Sequence, residues 1–257
     1  MGRYGIRDVF LTLQGEGART GTKALFVRFT GCNLWDGMPL HRDRGIGACA
    51  KWCDTDFFKG KVYSTDELLA QMNEVWPPDG EERWCVLTGG EPCLQIDKAL
   101  LEALHGDGWK VAIETNGTEE NVQVERYADW ICIAPKLDAA GEPLPLALAR
   151  ASEVKVVLPG IAHGAGAGWK TTSLLALEKV AIEVLQCDML YVQPQDPIVS
   201  PDFVSESLLV HSKPIEEEQA ALLAHLYNTS VQQCIAWVLA HPRWRMSVQQ
   251  HKTLGLP

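Results

Sequence analysis

Short apolar, β-rich runs alternate with amphipathic stretches along most of this chain, and that alternation admits few folds. The runs lie at 24–30, 83–88, 110–115, 130–134, 153–158, 189–193 and 244–248. Helical periodicity falls at 65–76, 97–105, 172–185 and 215–240. Ser64 and Glu67 form a capping-box pattern ahead of the first helix. Gly106 is the expected stop of the second. Strands separated by helices pair in parallel through right-handed crossovers, so the expected class is α/β. Cys85-Val86-Leu87 and Val111-Ala112-Ile113 are apolar on both faces, as parallel strands covered on both sides should be. No internal repeat interrupts the pattern. The stretch 194–214, with Pro194, Pro197, Pro201 and Pro214, reads as a long loop rather than a domain linker. A chain of 257 residues, 46% apolar and 22% charged, can bury one large core, and one domain with a barrel-like or open sheet is expected.

Charge excludes one class of function. Twenty-three basic against thirty-three acidic side chains give a net charge of −10, and no basic run marks a phosphate-binding patch. A nucleic-acid backbone binder is therefore not expected. The first ten residues carry charges and no apolar core of a signal peptide. Ile6 stands where a myristoylation motif needs Ser or Thr. No stretch approaches the roughly 18 apolar residues of a membrane span. A cytoplasmic protein with no membrane partner is the expectation.

In such a sheet, function gathers where strands end and loops begin. Four strand ends carry unusual chemistry: Gly31-Cys32, Gly89-Gly90-Glu91-Pro92, Glu114-Thr115-Asn116-Gly117 and Gln193-Pro194-Gln195-Asp196. Four polar or Gly-rich turns on one rim point to one pocket.

Of the eight cysteines, Cys32, Cys49 and Cys53 stand apart, because they lie in a segment with neither helix nor strand period. Three thiols in one irregular loop suit a soft metal. Zinc is one reading, with His41 as the fourth ligand of a Cys₃His site. Cys32 lacks the near partner that zinc clips use, and no second Cys follows Pro92-Cys93 at deaminase spacing. A three-cysteine set instead suits an iron–sulfur cluster with one iron left open.

Cys49-Ala50-Lys51-Trp52-Cys53, with Cys32 upstream, resembles the cluster loop of radical S-adenosylmethionine (SAM) enzymes. Gly89-Gly90-Glu91-Pro92 after a strand resembles their second signature. Within that superfamily the chain is similar to the 7-carboxy-7-deazaguanine synthase family of queuosine biosynthesis. The similarity runs through 13–17, 28–35, 52–57, 88–92, 114–117, 134–136, 192–194 and the tail from His251 to Pro257. One departure is the final Cys-x₃-Cys, where the superfamily has Cys-x₂-Cys. The segments 159–172 and 197–233 also look longer than in compact members.

The resemblance implies a partial (β/α) barrel of the radical SAM type with an elaborated cluster loop. One core would span 1–257, with an N-terminal substrate segment and a C-terminal extension. Cys32, Cys49 and Cys53 would hold a [4Fe–4S] cluster, with SAM on the fourth iron as source of a 5′-deoxyadenosyl radical. The implied reaction is ring contraction of 6-carboxy-5,6,7,8-tetrahydropterin with loss of ammonia, and no catalytic side chain is implied beyond the cluster and SAM. Thr55 would bind Mg²⁺. Trp52, Gly90, Ala134, Pro135, Lys136, Gln193, Pro194, Gln195 and Asp196 would line the SAM site. Leu13, Gln14, Gly15, Arg28, Thr88 and the carboxylate of Pro257 would meet the pterin, with Arg28 facing its carboxylate. An external one-electron reductant of flavodoxin or ferredoxin type and a homodimer are implied as well. The alternatives are another radical SAM enzyme, such as a glycyl-radical activase, and a zinc-binding module.

Other features read as structure. Cys85, Cys132, Cys187 and Cys234 are expected to be packing residues, while Cys93 is not a ligand. The glycines at 15, 17 and 21 miss dinucleotide spacing, and 164–171 lacks the Gly before Lys of a P-loop.

Overall fold

The computed structural model describes residues 2–78, 82–158, 169–195 and 217–256, with side chains of the last stretch from Asn228 onward. Nine strands among them form one sheet. They are β1 (Arg3–Leu13), β2 (Lys23–Phe29), β3 (Lys61–Ser64), β4 (Arg83–Gly89) and β5 (Trp109–Thr115), followed by β6 (Trp130–Ile133), β7 (Glu153–Leu158), β8 (Leu190–Pro194) and β9 (Trp244–Met246). The helices are α1 (Thr65–Val75), α2 (Lys98–Gly106), α3 (Val122–Tyr127), α4 (Thr171–Glu183), α5 (Glu217–Ala240) and α6 (Gln250–Thr253).

The order is β3-β1-β2-β4-β5-β6-β7-β8-β9. From β2 onward every pair is parallel and each new strand joins in chain order. Right-handed crossovers repeated in one direction lay the helices on one face. The winding never reverses, so the other face is the inside of an opened barrel. Among the described residues β3 and β9 are the edges, and the sheet stays open.

The registers separate the two faces. Val27 pairs with Leu87, Leu87 with Ile113, Ile113 with Ile131, and Val154 with Leu190. All are fully buried, and they pack with Leu68 and Met72 of α1, Leu100, Leu101 and Leu104 of α2, Leu174 and Leu177 of α4, and Trp237 of α5. On the inner face Ala24, Val86 and Ala112 form a small apolar floor with Phe26, Trp84 and Trp130. Toward the strand ends that face turns polar: Arg28 pairs with Thr88, Glu114 with Cys132, and Cys132 with Glu153. Apolarity on both faces thus holds only for the lower half of each strand.

Two strands were not legible in the hydrophobic pattern. Strand β1 carries Arg3, Arg7 and Asp8 within its run, and its register shifts between Ile6 and Asp8. Strand β3 is a short edge element that leads straight into the capping box at Ser64 and Glu67. Helix α3 is too short to show a period, and Asn121 caps it by accepting from the Gln123 and Val124 amides. Helix α2 ends on Gly106, as expected. Gly106 is itself the last helical residue, Asp107 is the C-cap, and the left-handed residue is Gly108 at φ +84°. Residues 196–214 of the expected loop lie outside the described residues, as do most of 159–172 and the start of the 215–240 helix.

Asp97 couples the antiparallel edge to the helical layer. Its carboxylate caps α2 by accepting from the Leu100 amide at 2.9 Å, and it accepts from the Tyr4 hydroxyl of β1 at 2.9 Å. Asp97→Ala removes the cap and the carboxylate acceptor of a part-buried hydroxyl, and should cost about 2 kcal/mol in chemical denaturation.

Candidate active site

A cavity of about 550 Å³ opens on the polar half of the inner face. It is lined by strand ends, the 31–57 loop, residues 13–16 and the tail at 249–256. Of the residues singled out from sequence, Cys32, Cys49, Cys53, Trp52, Thr55, Gly90, Ala134, Lys136, Gln193, Leu13, Gln14, Gly15, Arg28 and Thr88 all line it. Pro135, Pro194 and Gln195 do not, although all three are buried beside it in sequence. Asp196 and Pro257 lie outside the described residues, and Leu256 reaches the cavity wall.

The cysteine loop is anchored from several sides. Cys49 sits in a 3₁₀ turn, Ala48–Lys51, and the Cys53 amide donates to the Cys49 carbonyl at 2.7 Å. Ala50 and Lys51 of the Cys-x₃-Cys spacing lie in that turn. Ala50 points into a small core with Trp35 and Phe57, against which Cys32 and Cys53 also pack. The Arg42 guanidinium stacks 4.7 Å from the Trp35 ring centre and donates to the carbonyls of Ala50 and Cys53. The Leu34 amide donates to Cys32 Sγ at 3.4 Å. Burial pushes all three thiols up, Cys49 to about 12, while the Lys136 ammonium pulls Cys49 and Cys53 the other way.

Beside it, the Gly-Gly-Glu-Pro turn packs on the same loop. A Cβ on Gly90 would lie 1.9 Å from the Gly31 carbonyl oxygen, so only glycine fits. Glu91 is fully buried and donates its amide to the Gly31 carbonyl at 2.8 Å. Its carboxylate accepts from the Cys93 amide, the Thr115 hydroxyl and the Asn116 amide at 3.0, 2.7 and 2.8 Å. Burial raises this carboxyl and the three donors oppose the rise. Asn116 in turn donates to Asn33 Oδ1 at 2.9 Å, and Asn33 donates to Thr118 and Glu119.

On the opposite wall Arg28 is about a quarter exposed, with its Nε 3.8 Å from Asp8. Thr55 lies between two engaged carboxylates. Asp54 pairs with Lys252 at 2.7 Å and Asp56 with Arg7 at 2.6 Å. Gln193 accepts from the Ser247 hydroxyl at 2.8 Å.

Sequence reasoning missed the floor of this cavity. Glu16, Glu114 and Lys155 meet there, with Lys155 Nζ 2.5 Å from Glu16 and 3.1 Å from Glu114. Burial alone would raise the Glu16 carboxyl, but the Lys155 ammonium holds it at about 2. Burial raises Glu114, with Glu16 and Glu153 adding to the rise and Lys155 opposing it. Cys132 faces these carboxylates, so unlike Cys85, Cys187 and Cys234 it does not belong to the helix-side core. The available signal was a lone lysine inside the apolar run Val154-Lys155-Val156.

Among the described residues, the three metal-ligating atoms found within 4.8 Å of one another belong to Glu114, Cys132 and Glu153. Cys32, Cys49 and Cys53 are not gathered that tightly, as a single closed zinc site would need. His41 is paired with Asp36 and lies off the cavity. The same residues show no helix long and apolar enough to cross a membrane.

No protein-family model matches the chain. The 7-carboxy-7-deazaguanine synthase of Caulobacter vibrioides is 35% identical over 99% of both chains. That of Burkholderia multivorans is 36% identical over 99% of both. That of Bradyrhizobium diazoefficiens is 37% identical over 98% of this chain and 99% of its own. The crystal structure of QueE from Escherichia coli shares the fold, with a TM-score of 0.59, 24% identity, and coverage of 96% of this chain and 94% of that one. Likeness that runs end to end at this level shows that the chain belongs to the 7-carboxy-7-deazaguanine synthase family.

Proposed function

We propose that the cavity takes 6-carboxy-5,6,7,8-tetrahydropterin and SAM beside an iron–sulfur cluster, and that the chain forms 7-carboxy-7-deazaguanine with loss of ammonia. The observation that carries this reading is the convergence of Cys32, Cys49, Cys53, Gly90 and Arg28 on one cavity. The residues fit the cofactors. Three partly spread soft thiols suit separate irons of a [4Fe–4S] cluster better than one ion. Trp52 Nε1 is buried at the cavity with no partner among the described residues, a donor left for a ligand to meet. Bound together, cluster and SAM supply the one-electron chemistry that starts the ring contraction.

The chain's own residues bind and orient. Cys32, Cys49 and Cys53 hold the cluster, and Lys136 offsets the negative charge that thiolates bring. Trp52, Gly90, Ala134 and Lys136 line the SAM side, with Gln193 near the end of β8. Arg28 offers a guanidinium fork to the substrate carboxylate. Leu13, Gln14, Gly15 and Thr88 flank the pterin. Thr55 supplies an oxygen to Mg²⁺, which prefers such ligands. The organisation that goes with this reading is one radical SAM core over 1–257 with an N-terminal substrate segment and a C-terminal extension. A homodimer in the cytoplasm, fed by a flavodoxin- or ferredoxin-like donor, completes it.

The decisive assay is anaerobic: reconstituted protein, SAM, a strong reductant, Mg²⁺ and the carboxytetrahydropterin, read by mass spectrometry. 7-Carboxy-7-deazaguanine is the expected product, and its absence from a cluster-loaded sample removes the substrate assignment. Alanine at Cys32, Cys49 or Cys53 should abolish the brown colour and most bound iron, whereas His41→Ala should keep both. Loss of metal in His41→Ala would instead favour zinc. Arg28→Ala should raise KM for the pterin by about tenfold or more, the scale of one lost charge-assisted bond, and leave substrate-independent SAM cleavage unchanged.

A further inference from the structure

Lys155 is the one fully buried cation among the described residues, with 4% of its side chain exposed. An ammonium is costly to bury unless its partners are fixed around it. Here the partners form a closed ring. Lys155 Nζ meets Glu16 Oε2 at 2.5 Å and donates to Glu114 Oε2 at 3.1 Å. Glu114 Oε1 accepts from Gln14 Nε2 at 3.1 Å, and Gln14 Oε1 accepts from the Glu16 amide at 3.1 Å. Gly15 lies inside that ring. Glu153 braces the far side by accepting from the Ala18 amide at 2.8 Å, and Gln249 Nε2 donates to Glu16 at 2.8 Å. The trio Glu114, Cys132 and Glu153 therefore already has a cation, the lysine, and needs no metal.

We propose that Lys155 is a positioning residue for the substrate site: its ammonium closes the ring that fixes Gln14 and Gly15 against the cavity. What those residues bind rests on the pterin reading above; the ring itself does not. Without the ammonium, Glu16, Glu114 and Glu153 would face one another uncompensated, and the 14–18 segment would lose its floor.

The test pairs hydrogen exchange on cofactor-free protein with kinetics of the loaded enzyme, for Lys155→Met and Glu16→Gln. In Lys155→Met the amides of 14–18 should exchange about tenfold faster or more, a larger factor than any change in β4 and β5. KM for the pterin should rise about tenfold or more, with kcat within about threefold and KM for SAM unmoved. A uniform acceleration across the sheet, or lost kcat at unchanged KM, would overturn the proposal. Should Lys155→Met not fold, Glu16→Gln carries the test, because Lys155 keeps Glu114 as counter-charge. It should loosen the same amides, and unchanged exchange and KM in that variant would refute the role. A wild type that does not turn over the pterin removes the substrate reading, whereas the exchange pattern still reports on Lys155 alone.

Discussion

A parallel sheet whose strands add in chain order must place its crossover helices on one side, and the remaining architecture follows from that. The helix-facing residues can then be uniformly apolar, since Val27, Leu87, Ile113, Ile133, Val154 and Val192 never meet solvent. Among the described residues no crossover helix covers the opposite face, so it is free to grade from an apolar floor at the strand starts to charged groups at their ends. The polar half of that face costs little while the cavity is open to water. Its buried part tolerates charge only because Lys155 and the carboxylates meet one another.

Strand ends by themselves would not hold the cysteine loop in place. Glu91 does so, since its amide grips Gly31 while its carboxylate gathers Thr115 and Asn116 from the next strand end. Asn116 then reaches back to Asn33, one residue from Cys32. Three turns that are far apart in the chain are thus locked at distances set by hydrogen bonds rather than by side-chain bulk. The close approach of Gly90 to Gly31 leaves no slack between two of them.

Much of this was readable in the residues. The parallel strands announced themselves by apolar runs, and the cysteine loop by the absence of any period around Cys32, Cys49 and Cys53. The turns Gly89 to Pro92 and Glu114 to Gly117 do face one cavity, as four polar turns on one rim implied. The illegible parts have physical causes. Strand β1 hides because a half-exposed antiparallel strand with a register shift keeps charges inside its run. The role of Glu16, Glu114 and Lys155 hides because it depends on contacts between β5, β7 and the loop after β1, which no local pattern encodes. The membership that end-to-end likeness establishes also decides against the glycyl-radical activase alternative.

One short stretch, 247–252, braces two parts of the cavity wall at once. Gln249 and Gln250 grip Glu16 and Gly15, Ser247 accepts from the Gly17 amide, and Lys252 reaches across to Asp54 in the cysteine loop. The 15–17 segment and the cysteine loop are therefore tied to the same six residues. Loosening 247–252 would therefore release the floor segment and the cysteine loop together, so these two parts of the cavity wall relax as one unit.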